Sequence, residues 1–330
     1  MDKQLEIVDT SHGGRWPGRR LRVALIGAAR SRNGTGPFVS RILREQECDV
    51  WEIPKGDLPA WETGARSVEG DVDAVAICSP ANTHLQYLKA ALHRGNHVFC
   101  EKPIIWDDSA NSASILAAID EIFTFRRRQK LVIHENTQWR YVWSEFLRLA
   151  GGLIDPSAVT YFKSEFCPNV SWPHEMIRES GPHANSLLQQ LGCNGIRDLG
   201  VSFNRERTEL VVSFVTSGWS RKHISVEYNF RQQTDQPRNA AFYLDGLQVI
   251  RKVRNPGYEM SLCIGVRECA LPDPLAMSVS SFLQKIRTNS QDEQDKDDLQ
   301  IRDNLAMCLT LRDAVLHFGC NNAQFPCQAL

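Results

Sequence analysis

The sequence predicts an α/β chain in two parts: a doubly wound parallel sheet, then an α+β part with a mainly antiparallel sheet. Three observations predict it. Aliphatic runs alternate with amphipathic helical patterns from Leu21 to about residue 143, as in strands joined by crossover helices. Strand-rich stretches follow, interrupted by one helix and closed by two. The first aliphatic run also ends in a glycine-bearing loop that opens a helix. The expected boundaries are a polar arm over 1–20, a first domain over 21–143 and a second over 144–330.

The elements follow in order. Leu21 to Ile26 is a β-branched and aliphatic run ending in Gly27, and a helical pattern runs through Phe38, Val39, Ile42 and Leu43. Cys48 to Ile53 reads as a second strand, and the stretch from Pro54 to Gly70 as an abbreviated crossover. Val72 to Cys78 is a buried strand leading to Ser79, Pro80, Asn82 and His84. A helix through Leu85, Leu88 and Leu92 ends at Gly95, before a short strand tipped by Glu101-Lys102-Pro103. A helix over Ser109 to Phe123 precedes Arg126-Arg127-Arg128, read as a solvated helix end favoured by the dipole. Leu131 to Ile133 makes the last strand of this half. Val159 to Phe166, Leu210 to Thr216, His223 to Phe230 and Ala241 to Val253 are then strands, the last with an Asp245-Gly246 turn. Pro182 to Leu191, Leu275 to Ile286 and Leu299 to Phe318 read as helices, with the acidic Asp292 to Asp298 a solvated connection.

Composition excludes several function classes. Charged residues are 23 % and hydrophobic residues 42 % of the 330, and the net charge of -1 gives no reason to expect nucleic acid or an anionic membrane as partner. The 10 cysteines form no Cys-x-x-Cys pair, and Cys78, Cys100 and Cys263 lie in apolar runs, which fits a reducing cytoplasm. No apolar run reaches the roughly 18 to 20 residues of a membrane span. Arg19-Arg20 before an apolar stretch superficially imitates a twin-arginine export signal, but Arg22 interrupts that stretch and the same residues form the first strand.

Strand, glycine loop and helix together point to a dinucleotide site, because exposed amides at a helix N-terminus bind a pyrophosphate. The loop differs from Gly-x-Gly-x-x-Gly: Gly27 holds the first position, Ala29 stands where the second glycine belongs, and Gly34 comes late. Arg30 and Arg32 are either phosphate ligands or solvated loop residues. Glu52 is the nearest acid for a ribose hydroxyl, while Lys55 beside the loop arginines suits a 2′-phosphate, so NAD or NADP is expected with a lean to NADP. A loop of this length also fits a CoA-binding domain. Lys102 follows a buried strand, where an open parallel sheet collects its ligands, and Pro103 holds its backbone extended. Otherwise Lys102 is an ordinary surface lysine.

From Asp71 through Asn82 and His84 to Pro103 the chain resembles the Gfo/Idh/MocA family of NAD(P)-dependent oxidoreductases, and more weakly over Ala241 to Gly246 and Asp273 to Leu283. The resemblance implies a Rossmann domain with Ser79, Pro80, Asn82, His84, Glu101 and Lys102 at the cofactor, and Lys102 pointing at substrate and nicotinamide. It implies Asn136, Trp139 and Arg140 bordering a small polar substrate such as a sugar or cyclitol. It also implies a homo-oligomer, a dimer or tetramer, formed through the open face of the second sheet. The family's Asp-x-Gly-x-His segment is matched by Glu179-Ser180-Gly181-Pro182-His183, with glutamate for aspartate and Ser186 at a position where aspartate is common.

Gly181 and Pro182 suit an N-cap and first turn, which would put His183 at a helix N-terminus as a neutral proton acceptor oriented by Glu179. Lys102 would stabilise alkoxide character on the reacting oxygen. The competing readings are a structural His183 packed above Leu187 and a non-catalytic dinucleotide-binding sensor or scaffold of the same fold. No metal is expected: His174, Glu175, Glu179 and His183 lack metal-ligand spacing, and Pro173, Gly181 and Pro182 would break a shared helix face.

Overall fold

A computed structural model describes residues 19–28, 34–54, 72–204, 206–218, 223–255 and 258–321. Residues 1–18 of the arm expected over 1–20, the loop residues Ala29, Arg30 and Arg32, and Lys55 with most of the abbreviated crossover lie outside these residues. The chain divides into two compact units. The first comprises the described residues up to Ile105, then Ala118–Asn136 and Val279–Asp298. The second comprises Trp106–Ala117, Thr137–Ser278 and the described residues from Leu299.

The first unit is built on a parallel sheet of β1 (Arg22–Ile26), β2 (Asp49–Ile53), β3 (Ala74–Ile77), β4 (His97–Glu101) and β5 (Ile133–Asn136), in the order β2-β1-β3-β4-β5. All four residues of β3 are buried and so are all five of β4, as expected where helices cover both faces. The crossovers are α1 (Gly36–Glu45), α2 (His84–His93) and α3 (Ser112–Gln129). The strand order reverses between β1 and β3, which places a ligand crevice beyond the carboxyl ends of those strands. Strand β5 lies slightly later than expected, so His134, Glu135 and Asn136 belong to it.

Two C-terminal segments complete this unit. Phe282 of α6 (Pro274–Thr288) packs 5.7 Å from Phe99 and 6.0 Å from His134. The acidic segment is the start of α7 (Gln291–Asn321) rather than a connection; Asp292, Glu293 and Asp295 are exposed on it, whereas Asp298 is buried. Arg126 is no solvated helix end. It is fully buried, bonds Asp298 at 2.5 and 3.1 Å and Gln291 at 3.0 Å, and pairs with Asp295. Burial outweighs both arginines at Asp298, raising its carboxyl to about 6. A guanidinium with no exposed surface needs these partners, since an uncompensated buried charge costs several kcal/mol.

The second unit holds an eight-stranded sheet in the order β13-β12-β11-β10-β6-β9-β8-β7. Its strands are β6 (Tyr161–Phe166), β7 (Cys193–Phe203), β8 (Glu209–Gly218), β9 (Ser225–Arg231), β10 (Ala240–Leu244), β11 (Leu247–Arg254), β12 (Glu259–Ile264) and β13 (Arg267–Leu271). Its one parallel pair is β6 with β9. Strands β7, β12 and β13 and the helix α4 (Val142–Ala150) were not among the expected elements. β7 shows no clean alternation because two register irregularities interrupt its pairing with β8. Asp245 and Gly246 turn β10 into β11 with φ of 45° and 89°, as a two-residue hairpin requires. Phe242 anchors the core, 5.3 Å from Phe146 and 6.4 Å from Trp139.

The helix carrying His183 begins earlier than expected. α5 runs from Pro173 to Gln189 with Pro182 inside it, so Pro173 supplies the proline of the first turn. His183 therefore sits in a helix interior and not at the helix N-terminus, away from the dipole end that disfavours an imidazolium. Nor do Gly181 and Pro182 break the helix face shared by Glu175, Glu179 and His183.

Candidate functional site

In the first unit, the turn expected to hold a dinucleotide is built by close backbone approach. Gly27 has φ of 91°, and a Cβ there would lie 2.4 Å from the carbonyl oxygen of Cys78. A Cβ on Gly36 would lie 2.3 Å from the carbonyl oxygen of Gly27. The end of β1 thus touches both the end of β3 and the start of α1, and any side chain would force them apart. Gly36 is thus the glycine that lets the start of α1 pack against the end of β1. Gly34, expected at the cofactor, is half-buried two residues earlier.

The N-terminus of α1 suits an anion. Thr35 at its N-cap makes no side-chain capping bond, and the first turn carries no acidic residue. Its orphan amides and positive dipole end face the crevice, which fits a pyrophosphate. Glu52 accepts a 2.7 Å bond from Ser40 and lies 3.5 Å from Arg44, so α1 engages this carboxylate.

The loops after β3 and β4 are tied together by His84. Its Nδ1 lies 2.8 Å from the carbonyl oxygen of Pro103 and its Nε2 lies 2.9 Å from that of Ser79. The ring is 1 % exposed, so His84 is a tie beneath the crevice rather than a ligand to the cofactor. Burial first, and Lys102 as well, hold its pKa below the ordinary imidazole value. The Ser79 hydroxyl lies 2.7 Å from that of Thr83, whereas Pro80 and Asn82 are exposed at the loop surface.

Around the lysine, Ile104 donates its amide to Glu135 at 2.8 Å, and Asn136 donates to Glu101 at 2.6 Å. Asn136 is fully buried and Glu101 is 8 % exposed, so both support the loop from below. Lys102 itself is half-buried, and its peptide bond to Pro103 is cis.

In the second unit, Trp139 is a packing residue: it lies 4.7 Å from Phe166, with the Arg251 guanidinium over its ring. Arg140 is half-buried and donates to the Tyr141 hydroxyl at 2.7 Å. His183 is half-buried on α5, and Glu179 lies one turn before it, 3.6 Å from Arg178. Arg178 also faces Glu175 at 3.5 Å and Asp108 at 3.7 Å. Among the described residues, no group of three or more His, Cys, Asp or Glu side chains could hold a metal, and no helix is long and apolar enough to cross a membrane.

Comparisons with known proteins bear on the same elements. Residues 47–122 match the GFO_IDH_MocA family, described as an oxidoreductase family with an NAD-binding Rossmann fold. Inositol 2-dehydrogenase 4 of Saccharopolyspora erythraea is 32 % identical over 114 residues, which are 30 % of this chain and 33 % of that protein. The chain thus matches about a third of that relative's length. Among solved structures, UDP-N-acetylglucosamine 3-dehydrogenase GnnA from Acidithiobacillus ferrooxidans superposes with a TM-score of 0.61 at 20 % identity, over 90 % of this chain and 98 % of that one. The WlbA (WbpB) dehydrogenase from Thermus thermophilus, in complex with NAD and UDP-GlcNAcA, gives 0.59 at 14 % identity, over 88 % and 94 %.

Proposed function

We propose that this chain, which has the Gfo/Idh/MocA-like oxidoreductase fold and matches that family over residues 47–122, is an NAD(P)-dependent oxidoreductase acting on a carbinol or carbonyl carbon. The observation that carries this reading is the glycine cradle at the uncapped start of α1, with Lys102 at the end of a buried strand of the same sheet. When bound, the nicotinamide accepts or supplies the hydride. Lys102 hydrogen-bonds the reacting oxygen and stabilises its developing negative charge. His183 takes the hydroxyl proton in oxidation and returns it in reduction, with Glu179 orienting the ring. Asn136 supports Glu101 instead of bordering substrate.

Two of the similar proteins are named as dehydrogenases of ring compounds, an inositol and a nucleotide-linked sugar. A sugar, cyclitol or related polar metabolite with a secondary ring hydroxyl is therefore the substrate class we assign. NADP is favoured over NAD by Lys55 and the loop arginines Arg30 and Arg32. We also assign a homo-oligomer, formed through the face of the second sheet that presents Lys163, Glu165 and Tyr243.

The test is turnover of a panel of polyols, inositols, free sugars and nucleotide sugars with each nicotinamide cofactor. At least one substrate should turn over, with kcat reduced at least 100-fold in Lys102→Met. Cofactor binding with no turnover on any substrate would favour the sensor reading, and competition by CoA without nicotinamide selectivity would favour the CoA reading.

A further inference from the structure

The second unit contains a buried chain of hydrogen bonds that no step above uses, and it ends beside His183. The Tyr228 hydroxyl on β9 donates to Asn185 Oδ1 at 2.9 Å. Asn185 Nδ2 on α5 donates to Asn304 Oδ1 at 3.1 Å, and it also lies 3.2 Å from that residue's carbonyl oxygen. Asn304 Nδ2 on α7 donates to the carbonyl oxygen of Pro182 at 2.9 Å. Each bond runs the same way, so each amide's orientation is fixed by its neighbour. Tyr228 and Asn185 are fully buried, and Asn304 is 2 % exposed.

The chain ends where α5 needs a constraint. Pro182 has no amide hydrogen, so the ordinary helical bond to the carbonyl of Arg178 is missing and the helix is prone to kink there. At Gly181 the two helices approach so closely that a Cβ would lie 3.2 Å from the Cys308 sulfur. The next carbonyl along, that of His183, accepts a 2.8 Å bond from the Ser186 hydroxyl. Side chains therefore hold both carbonyls flanking the His183 α-carbon. Three buried polar side chains in place of apolar ones of similar volume bring little stability, because apolar replacements are often as stable. What such a chain brings is a fixed orientation.

We propose that Asn304, held by Asn185 and Tyr228, is a positioning residue that sets the backbone and ring direction of His183. This rests on His183 being the proton-transfer group, and the experiment separates the two. The full chain is assayed as wild type, His183→Gln, Asn304→Leu and Tyr228→Phe, with kcat, KM and the kcat–pH profile measured. The pKa of His183 is followed by NMR with ring-labelled histidine in the absence of substrate. Tyr228→Phe removes one oxygen and carries the test if Asn304→Leu fails to fold.

The expected result is a fall in kcat of about tenfold with KM within twofold of wild type, and a shift of the His183 pKa by more than half a unit. Tyr228→Phe should cause no further loss of kcat in the His183→Gln background. Unchanged kcat and unchanged His183 pKa, with only a lower melting temperature, would overturn the inference while leaving the catalytic reading intact. Full turnover in His183→Gln would instead overturn the role of His183, and this inference with it.

Discussion

A methyl group at Gly36 is the smallest change that separates cofactor binding from the rest of the fold. Its Cβ would sit 2.3 Å from the carbonyl oxygen of Gly27, so the start of α1 has to move away from the end of β1. Overpacking of this kind costs about 1–3 kcal/mol. Gly36→Ala is therefore expected to lower stability by about that amount and to weaken dinucleotide binding at least tenfold, as read by urea denaturation and a fluorescence titration with NADPH. Unchanged affinity would show that the amides of this turn do not hold the pyrophosphate. Gly36 was legible in principle, since Gly36-Pro37 opens the helical pattern, but Ala29 in the second glycine position disguised the spacing. His84 and Asn136 were expected at the cofactor and the substrate, and their burial was not legible, because sequence does not show which loop a ring or amide will tie down.

At the scale of elements, the α3–α7 contact makes a pH-dependent contribution through Asp298. Its carboxyl lies at about 6 in the folded chain, raised by burial above the ordinary value of 3.8. The folded state then binds more protons at this carboxyl than the unfolded state between these values, so its own contribution to stability is greatest below about pH 4 and falls as pH rises to about 6. Asp298→Asn removes the titrating group. The difference in unfolding free energy between wild type and variant should change across pH 4–6, by up to about 3 kcal/mol, and be flat above pH 7. Parallel profiles from urea titrations would refute it. Arg126 and Asp298 are 172 residues apart, which is why an arginine run and an acidic run looked like two solvated segments. The start of α5 was misplaced for a local reason. Gly181-Pro182 carries helix-start chemistry, but Pro173 occupies the true first turn, and the carbonyl of Pro182 accepts a bond from the side chain of Asn304, 122 residues away.

For the whole molecule, the parallel sheet was legible because each strand and the turn after it are contiguous in sequence: β3 with Ser79, and β4 with Lys102. The second sheet was legible in character, yet β7, β12 and β13 were missed: β7 is bulged, β13 is largely exposed, and four consecutive buried residues in β12 leave no period of two. Lys102 and His183 come from different units, so their joint action is a question for kinetics. If Lys102 stabilises charge on the oxygen whose proton His183 accepts, both act on one step, and the second substitution removes a contribution the first has already lost. Lys102→Met and His183→Gln are each expected to lower kcat by 100-fold or more, and the double variant to fall no more than about tenfold below the weaker single one. Residues acting on separate steps or separate ligands would instead give losses that multiply, to about 10⁴-fold or more. Single-turnover measurement of hydride transfer at saturating cofactor distinguishes these outcomes, because it isolates the chemical step from product release.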